Sequence, residues 1–392
     1  MTTPQAFQFQ TSKSIVISDI GCISKIDSYI QTMGCDRVML ISSQRASQGI
    51  AARTVVKVLG KKIACQYTKV TQHSGVDIIE EIVKLAQLHK IDGFVSVGGG
   101  SCSDSAKAAA ILLAEGGRLK DHANIFYPPN RYVQQHLVHP KLPIIAIPLS
   151  LSAAEVTPGL GIRDPHGHKL VFWDPLVVPR FILLDGESCT DVPAEIFTTT
   201  GMNALAHCIE GMYSKVRNPI SEALAVQGIA YLKEALPRIQ NSPQDKDARN
   251  FGLIGAYLSG MVISNARVGI HHGICHGLGA LGGLSHGVAN SVFLPHAMRF
   301  NLDAATDYLA KVATAMGVDT HQLSTKEAAL QAITAVEKLQ LTLGIPQGLK
   351  EAGLDRSLIP QLAKNAMSDR GLYFNPRLAT ESEVTQLLEA AW

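Results

Sequence analysis

Gly93–Ala114, GFVSVGGGSCSDSAKAAAILLA, passes from a β-branched run through three glycines into an alanine-rich helical stretch. Gly98, Gly99 and Gly100 let the backbone come close to a ligand, because no Cβ stands in the way. The amides opening the following helix carry partial positive charge and suit a pyrophosphate. The pattern is not GxGxxG and follows the third predicted strand, so an ordinary Rossmann fingerprint is absent. A plain strand-to-helix turn capped by Ser101 or Ser103 explains the same residues without a ligand. Asp104 reads as a further cap carboxylate or a cofactor contact, and Lys107 as a solvated helix residue or a charge near the site.

Around this stretch, short β-branched runs alternate with helical ones. Arg37–Ser42, Ile63–Tyr67, Gly93–Val97, Pro143–Ile147 and Phe181–Asp185 read as strands. Gly49–Leu59 and Val76–His89 read as helices, the second with Ile78, Ile79, Ile82, Val83 and Leu85 as its apolar stripe. Such alternation predicts a parallel sheet covered by helices on both faces. From about Pro193 the pattern is helical almost throughout, interrupted at Asn-Pro, Ser-Pro and Gly-Ile-Pro. The change near Asp185–Asp191 sets the expected division: an α/β dinucleotide-binding domain over 1–188 and an all-α domain over 189–392. A cleft between them is the natural ligand site.

Composition narrows the class. The 392 residues are 46% hydrophobic and 17% charged, which fits a compact enzyme and not a disordered chain. A net charge of +2, with scattered basic residues, favours neither nucleic acid nor an acidic membrane surface. No apolar run reaches the roughly 18–20 residues a bilayer requires. The opening MTTPQAFQFQTSKS lacks the order of a signal peptide, and the seven cysteines lack CxxC spacing, so a cytoplasmic protein with reduced thiols is expected.

The helical half carries a second motif set. Asn203 and His207 lie four apart in GMNALAHCIEGMYS, on one helix face. His272 and His286 lie fourteen apart in HHGICHGLGALGGLSHGVAN. Three imidazoles converging on one point would make an open metal site able to polarise a carbonyl or alkoxide oxygen. The asparagine complicates this, since a neutral amide oxygen is a much poorer ligand than a carboxylate.

Taken with the glycine loop, these segments resemble the iron-containing (group III) alcohol dehydrogenase family, including its maleylacetate reductase branch. GGGSCSDSAK is similar to the family's cofactor loop, and Ala153–Thr157 (AAEVT) to the stretch lining the nicotinamide pocket. The three histidine-bearing segments follow in the family's order. The resemblance implies a dinucleotide-binding domain followed by a helical domain, as in dehydroquinate synthase-like architectures, and a homodimer acting on a small-molecule substrate. It implies cofactor contacts at Gly98, Gly99, Gly100, Ser101, Asp104, Ser43, Ser150 and Ser152, and a metal, Fe²⁺ or Zn²⁺, on Asn203, His207, His272 and His286. Asparagine at 203 departs from the metal-dependent alcohol dehydrogenases, which carry aspartate there. It resembles the maleylacetate reductases, generally regarded as metal-free, as does the shortened IPLSLSAAEVTP; Asp104 and SHGVAN resemble the alcohol dehydrogenases.

Two chemistries follow. With metal, the ion stabilises the alkoxide while hydride moves to or from the nicotinamide. Without it, Asn203, His207, His272 and His286 bind the carbonyl or a carboxylate directly, and one imidazole delivers the proton. Catalytic roles are therefore expected at His276, His272 and Asn203, with His276 as proton relay or, alternatively, a satisfied interface histidine. Ser43 stands where an acidic residue would grip the adenosine ribose, and Arg45 is near, so NAD or NADP is expected. No basic pair stands out as a carboxylate clamp, which favours a small alcohol or aldehyde. A dehydroquinate synthase-like lyase would need a phosphate-binding cluster that the sequence does not assemble.

Overall fold

The five predicted strands lie side by side in one sheet, in the computed structural model that describes residues 6–129 and 131–392. The strands are β1 (Ile15–Ser18), β2 (Val38–Ser42), β3 (Ile63–Tyr67), β4 (Gly93–Gly98), β5 (Ile125–Tyr127), β6 (Arg131–Val133), β7 (Ile144–Pro148), β8 (Gly159–Arg163), β9 (Lys169–Trp173) and β10 (Phe181–Leu184). The sheet order is β1-β10-β7-β4-β2-β3, parallel throughout. Strands β2, β4, β7 and β10 are buried along their whole length, which is why they read as continuous apolar runs. The chain moves outward from β2 to β3 and then returns to place β4 on the other side of β2. That reversal opens a crevice at the carboxyl ends of β2 and β4.

Helices α1 (Ile26–Thr32), α2 (Gln44–Ser47), α3 (Ile50–Leu59), α4 (Val76–Leu88) and α5 (Gly100–Glu115) belong to this half. Strand β1 and the hairpins β5–β6 and β8–β9 were not expected. Their strands are three to five residues long and partly exposed, so they carry little alternation. The β-branched run IVIS was the available signal for β1. The two hairpins are tied by a bridge between Asn124 and Val171.

The second half holds α6 (Ala194–Tyr213), α7 (Pro219–Asn241), α8 (Lys246–Ala266), α9 (Ile270–Ala280), α10 (His286–Phe300), α11 (Thr306–Ala315), α12 (Thr325–Thr342), α13 (Ile359–Ala366) and α14 (Glu381–Ala391). The Asn-Pro interruption is a helix start: Asn218 caps α7 through Ser221, with Pro219 in the first turn. Such a cap contributes about 1 kcal/mol. Helix α6 is buried from Gly201 to Tyr213 and packs against α7, α8 and α10. Arg249 of α8 is fully buried and donates to the carbonyls of Pro243 and Val192, 2.7 Å each, tying α8 to the segment that precedes α6. Among the described residues no single helix is long and apolar enough to cross a membrane, although the bent pair α8–α9, meeting at 109°, passes on length and composition.

Candidate active site

A cavity of about 320 Å³ opens where β2, β4 and β7 end, lined by Ser43, Arg45, Gly98–Ser101, Ser150, Asp191 and Ile196. Helix α5 starts at Gly100 behind Gly99, and no side chain caps it. The capped-turn alternative therefore fails: Ser101 Oγ accepts from the His73 amide at 3.1 Å, and buried Ser103 Oγ has no partner. Gly98 has φ +152°, and a Cβ there would stand 2.5 Å from Cys102 Sγ. A Cβ on Gly100 would stand 3.0 Å from Ser152 Oγ. Side chains at 98 and 100 would meet Cys102 and Ser152, so glycine is required there, and an α5 start with no side-chain cap at the cavity edge suits an anion.

Ser43 follows β2 and caps α2 through the Ala46 amide at 3.2 Å. Asp191, on the wall of the same cavity, accepts from the Ile50 amide at 2.7 Å. Asp104 and Ser152 lie outside this lining. Asp104 Oδ2 accepts from the Gly161 amide at 3.1 Å, facing β8, and Ser152 Oγ borders Gly100.

Of the two readings of Lys107, the solvated one is excluded. Its side chain is fully buried and donates to the carbonyls of Ala154, Thr157 (2.7 Å) and Gly159 (3.2 Å). One ammonium thus fastens the glycine-loop helix to the Ala153–Thr157 stretch. Beside it, burial pushes the Glu155 carboxyl up to about 7, against the pull of its own amide and of Lys107. A raised carboxyl contributes stability below its ordinary 4.5 and loses it as pH rises through about 7. Glu155→Gln should therefore raise the Tm at pH 8, by up to about 3 kcal/mol of stability, and far less at pH 5. Thermal melts at the two pH values check this; equal gains at both would contradict it.

From the cavity, α6 leads to the histidines. Ile196 lines the cavity wall, while Asn203 and His207 follow on the same helix, the first about 10 Å further along. The His207 and His272 rings stack at 4.7 Å between centroids, and His286 lies 6.1 Å from His272. His276 lies 6.2 Å from His272 and 6.0 Å from His286, nearly parallel to the latter. Four imidazoles from three helices thus occupy one place.

Their hydrogen bonds fix where the protons sit. Ser259 Oγ donates to the Ala256 carbonyl at 2.8 Å, so it accepts from His207 Nδ1 at 3.3 Å. His272 Nδ1 donates to Glu210 Oε2 at 2.5 Å. Both Nε2 atoms are therefore bare and point inward, His272 Nε2 standing 3.0 Å from Asn203 Oδ1 and His207 Nε2 3.4 Å from Asn203 Nδ2. Two acceptors facing each other at 3.0 Å have no proton between them, and a cation relieves that opposition. His286 opens α10, with only its backbone oxygen taken by a side chain, that of Asn290. Burial, aided by neighbouring histidines, holds His207 and His286 well below the usual imidazole range and takes His272 to about 4. Neutral imidazole is the metal-binding form. The donor set fits a divalent ion on Asn203, His207, His272 and His286.

Glu210, His271 and His272 also bring ligating atoms within 4.8 Å of one another. That group lies behind the site: Glu210 Oε1 already accepts from the Gly269 and His271 amides, and Oε2 from His272. Burial would raise the Glu210 carboxyl, but the His272 imidazole and the bonds from His271 and His272 hold it below the usual range. His276 Nδ1 donates to Asp369 Oδ2 at 2.7 Å, an arrangement that serves a satisfied interface histidine and a proton relay alike. His271 is buried and donates to the Asn290 carbonyl at 2.9 Å, a structural role. Cys208 and Cys275 are buried, and burial raises both thiols, so neither is a nucleophile. Sequence reasoning missed Glu210, Ser259 and Asp369; only Glu210 left a signal, one turn beyond His207 on α6.

The patterns described as "Iron-containing alcohol dehydrogenase" and "Fe-containing alcohol dehydrogenase family, C-terminal" match residues 13–186 and 197–392. The chain is 29% identical to the NAD-dependent methanol dehydrogenase of Bacillus methanolicus, over 95% of this chain and 96% of that one. It is 29% identical to a maleylacetate reductase of Burkholderia cepacia, over 99% and 98%. A solved 1,3-propanediol oxidoreductase superposes with a TM-score of 0.93 at 28% identity, covering 99% of this chain and 100% of that one. With a glycine loop open at α5 and a histidine cluster joined to it along α6, the chain is an oxidoreductase and belongs to the iron-containing alcohol dehydrogenase family.

Proposed function

We propose that the protein uses NAD or NADP to interconvert a small alcohol and its carbonyl partner, the dinucleotide running from Ser43 across the glycine loop to the histidines. The observation that carries this is the pair of bare Nε2 atoms with the Asn203 amide between them, reached along α6 from the cavity. A nicotinamide bound there would supply or take hydride, and a divalent ion, Fe²⁺ or Zn²⁺, would polarise the substrate oxygen. Asn203, His207, His272 and His286 would hold the ion; Gly98–Ser101, Ser43 and Ser150 would cradle the dinucleotide, with Ser152 and Asp104 at its edge. Asp369 keeps the proton of His276 on Nδ1, so Nε2 can take a proton from an alcohol or, once protonated, return it to an alkoxide. Glu210 and Ser259 orient His272 and His207 in the same way.

A second reading, metal-free reduction of the maleylacetate reductase type, is favoured by Asn203 in place of a carboxylate. Metal analysis of purified protein, followed by chelation and assay with alcohols and with maleylacetate, separates the two. Under the metal reading, Asn203→Asp should tighten metal binding at least about tenfold, the scale on which even outer partners of a ligand act. An unchanged affinity, with metal absent from both proteins, would favour the second reading.

No carboxylate follows β2, so NADPH should support turnover as NADH does. Ser43→Asp should then lower kcat/KM for NADPH at least about tenfold relative to NADH, through repulsion of the 2′-phosphate. Turnover of the native enzyme with NADH alone would contradict this. We also propose a division into domains at 188/189, a homodimer, and a cytoplasmic enzyme with reduced thiols. All seven cysteines are free, and the net charge of +2 favours a small molecule over nucleic acid or membrane.

A further inference from the structure

Most arginines of the helical half are partnered. Arg217, Arg238, Arg299, Arg356 and Arg377 pair with carboxylates, and Arg249 is held by carbonyls. Arg267 and Arg370 differ: among the described residues, neither guanidinium has an ion pair or a hydrogen bond. Each lies instead on an aromatic ring. Arg267 Cζ is 4.2 Å from the centre of Trp173, and Arg370 Cζ is 3.8 Å from that of Tyr132. Both are half-buried, as are Trp173 and Tyr132. A guanidinium over a ring is held through the ring's π face, which leaves its N–H donors for an oxyanion.

Both residues border the histidine site. Arg370 follows Asp369, the partner of His276, and a Cβ on Gly371 would stand 2.8 Å from the Gly269 carbonyl oxygen. Arg267 ends α8 two residues before Gly269, whose amide donates to Glu210 behind His272. Arg267 takes φ +64°, a left-handed conformation that costs a side-chain-bearing residue about 1–3 kcal/mol. Burial, with Arg370 near, lowers the Arg267 guanidinium, while Tyr132 favours its charge. Two cations are thus held near one another, neither paired with a carboxylate among the described residues, at the N-terminal end of the helix that carries His272 and His276.

We propose that Arg267 and Arg370 form a subsite for a substrate carboxylate, so that the natural substrates are short oxo acids and the corresponding hydroxy acids. This rests on the function proposed above and narrows it; the sequence alone, in which the two arginines are far apart, favoured an uncharged alcohol or aldehyde. The carboxylate takes no part in the redox step. The carbonyl carbon gains hydride from the reduced dinucleotide, its oxygen gains a proton, and the acid end stays on the guanidinium forks.

The test compares 4-oxobutanoate with butanal, an aldehyde of the same length without the charge. In the native enzyme kcat/KM for 4-oxobutanoate should exceed that for butanal at least about tenfold, the worth of a charge-assisted pair. That ratio should fall about ten- to hundredfold in Arg370→Gln and in Arg267→Lys, mainly through KM for the acid. Butanal turned over with a ratio near one leaves the parent function standing and overturns the carboxylate subsite. A native preference that neither variant reduces overturns the assignment to these residues. A preference for D-glyceraldehyde 3-phosphate over glyceraldehyde, with none for 4-oxobutanoate, overturns carboxylate as the anion. Failure of NADH to bind at all, read by its fluorescence, would instead remove the function on which the subsite rests.

Discussion

Replacing His272 by alanine should lower kcat/KM for carbonyl reduction by about a thousandfold while leaving the Kd for NADH within about twofold. The ring is at the centre of the cluster: it stacks on His207, faces Asn203 with its bare Nε2 and takes its orientation from Glu210. None of these contacts touches the glycine loop, so dinucleotide affinity is spared. The same change takes one hydrogen bond from the buried Glu210 carboxylate, which keeps the Gly269 and His271 amides, and losing a bond to a charged acceptor costs about 1.5–3 kcal/mol. A second substitution separates folding from chemistry. His272→Ala with Glu210→Gln should recover most of the lost Tm and none of the activity. Recovery of activity along with stability would mean that His272 acts only as a structural element.

Gly98→Val should weaken NADH binding at least about tenfold, measured by fluorescence titration. Two penalties act at one position. The φ of +152° is strained for a residue with a side chain, and the new Cβ would collide with Cys102 Sγ in the first turn of α5. Strain and overpacking each cost about 1–3 kcal/mol, and every 1.4 kcal/mol is tenfold in affinity. Because Cys102 belongs to the turn whose amides face the cavity, relief of the clash must open that turn. Adding Cys102→Ala should restore part of the affinity by removing the sulfur, leaving the backbone penalty. Full-strength binding by Gly98→Val would show that the dinucleotide does not use this loop.

Much of the site could be read from spacing because each helix presents residues at a fixed interval. Asn203, His207 and Glu210 share a face of α6, and His272 and His276 share one of α9. The strand–glycine–helix passage at Gly93–Ala114 likewise carries its structure locally. What remained hidden depends on chain segments far apart. Asp369 meets His276 across 93 positions, Ser259 meets His207 across 52, and Arg370 finds Arg267 only when the 3₁₀ turn Arg370–Phe374 packs against α9. The two readings of Lys107 could not be separated for a different reason. Helix α5 is covered on nearly all sides, with Ala106 and Ala108–Ala110 buried, so it lacks the one-sided pattern that distinguishes a solvated lysine from a buried one. The short hairpins gave no periodic signal, yet Trp173 and Tyr132, the ring supports of the two arginines, come from them.

The most direct measurement is a crystal structure of the enzyme with bound NADH. Adenosine should lie by Ser43 and Arg45, the pyrophosphate on the amides of Gly99–Ser101, and the nicotinamide should turn its C4 toward His272 and His286. A nicotinamide directed away from those rings, or a dinucleotide outside the crevice at the ends of β2 and β4, would contradict hydride transfer at the histidine cluster.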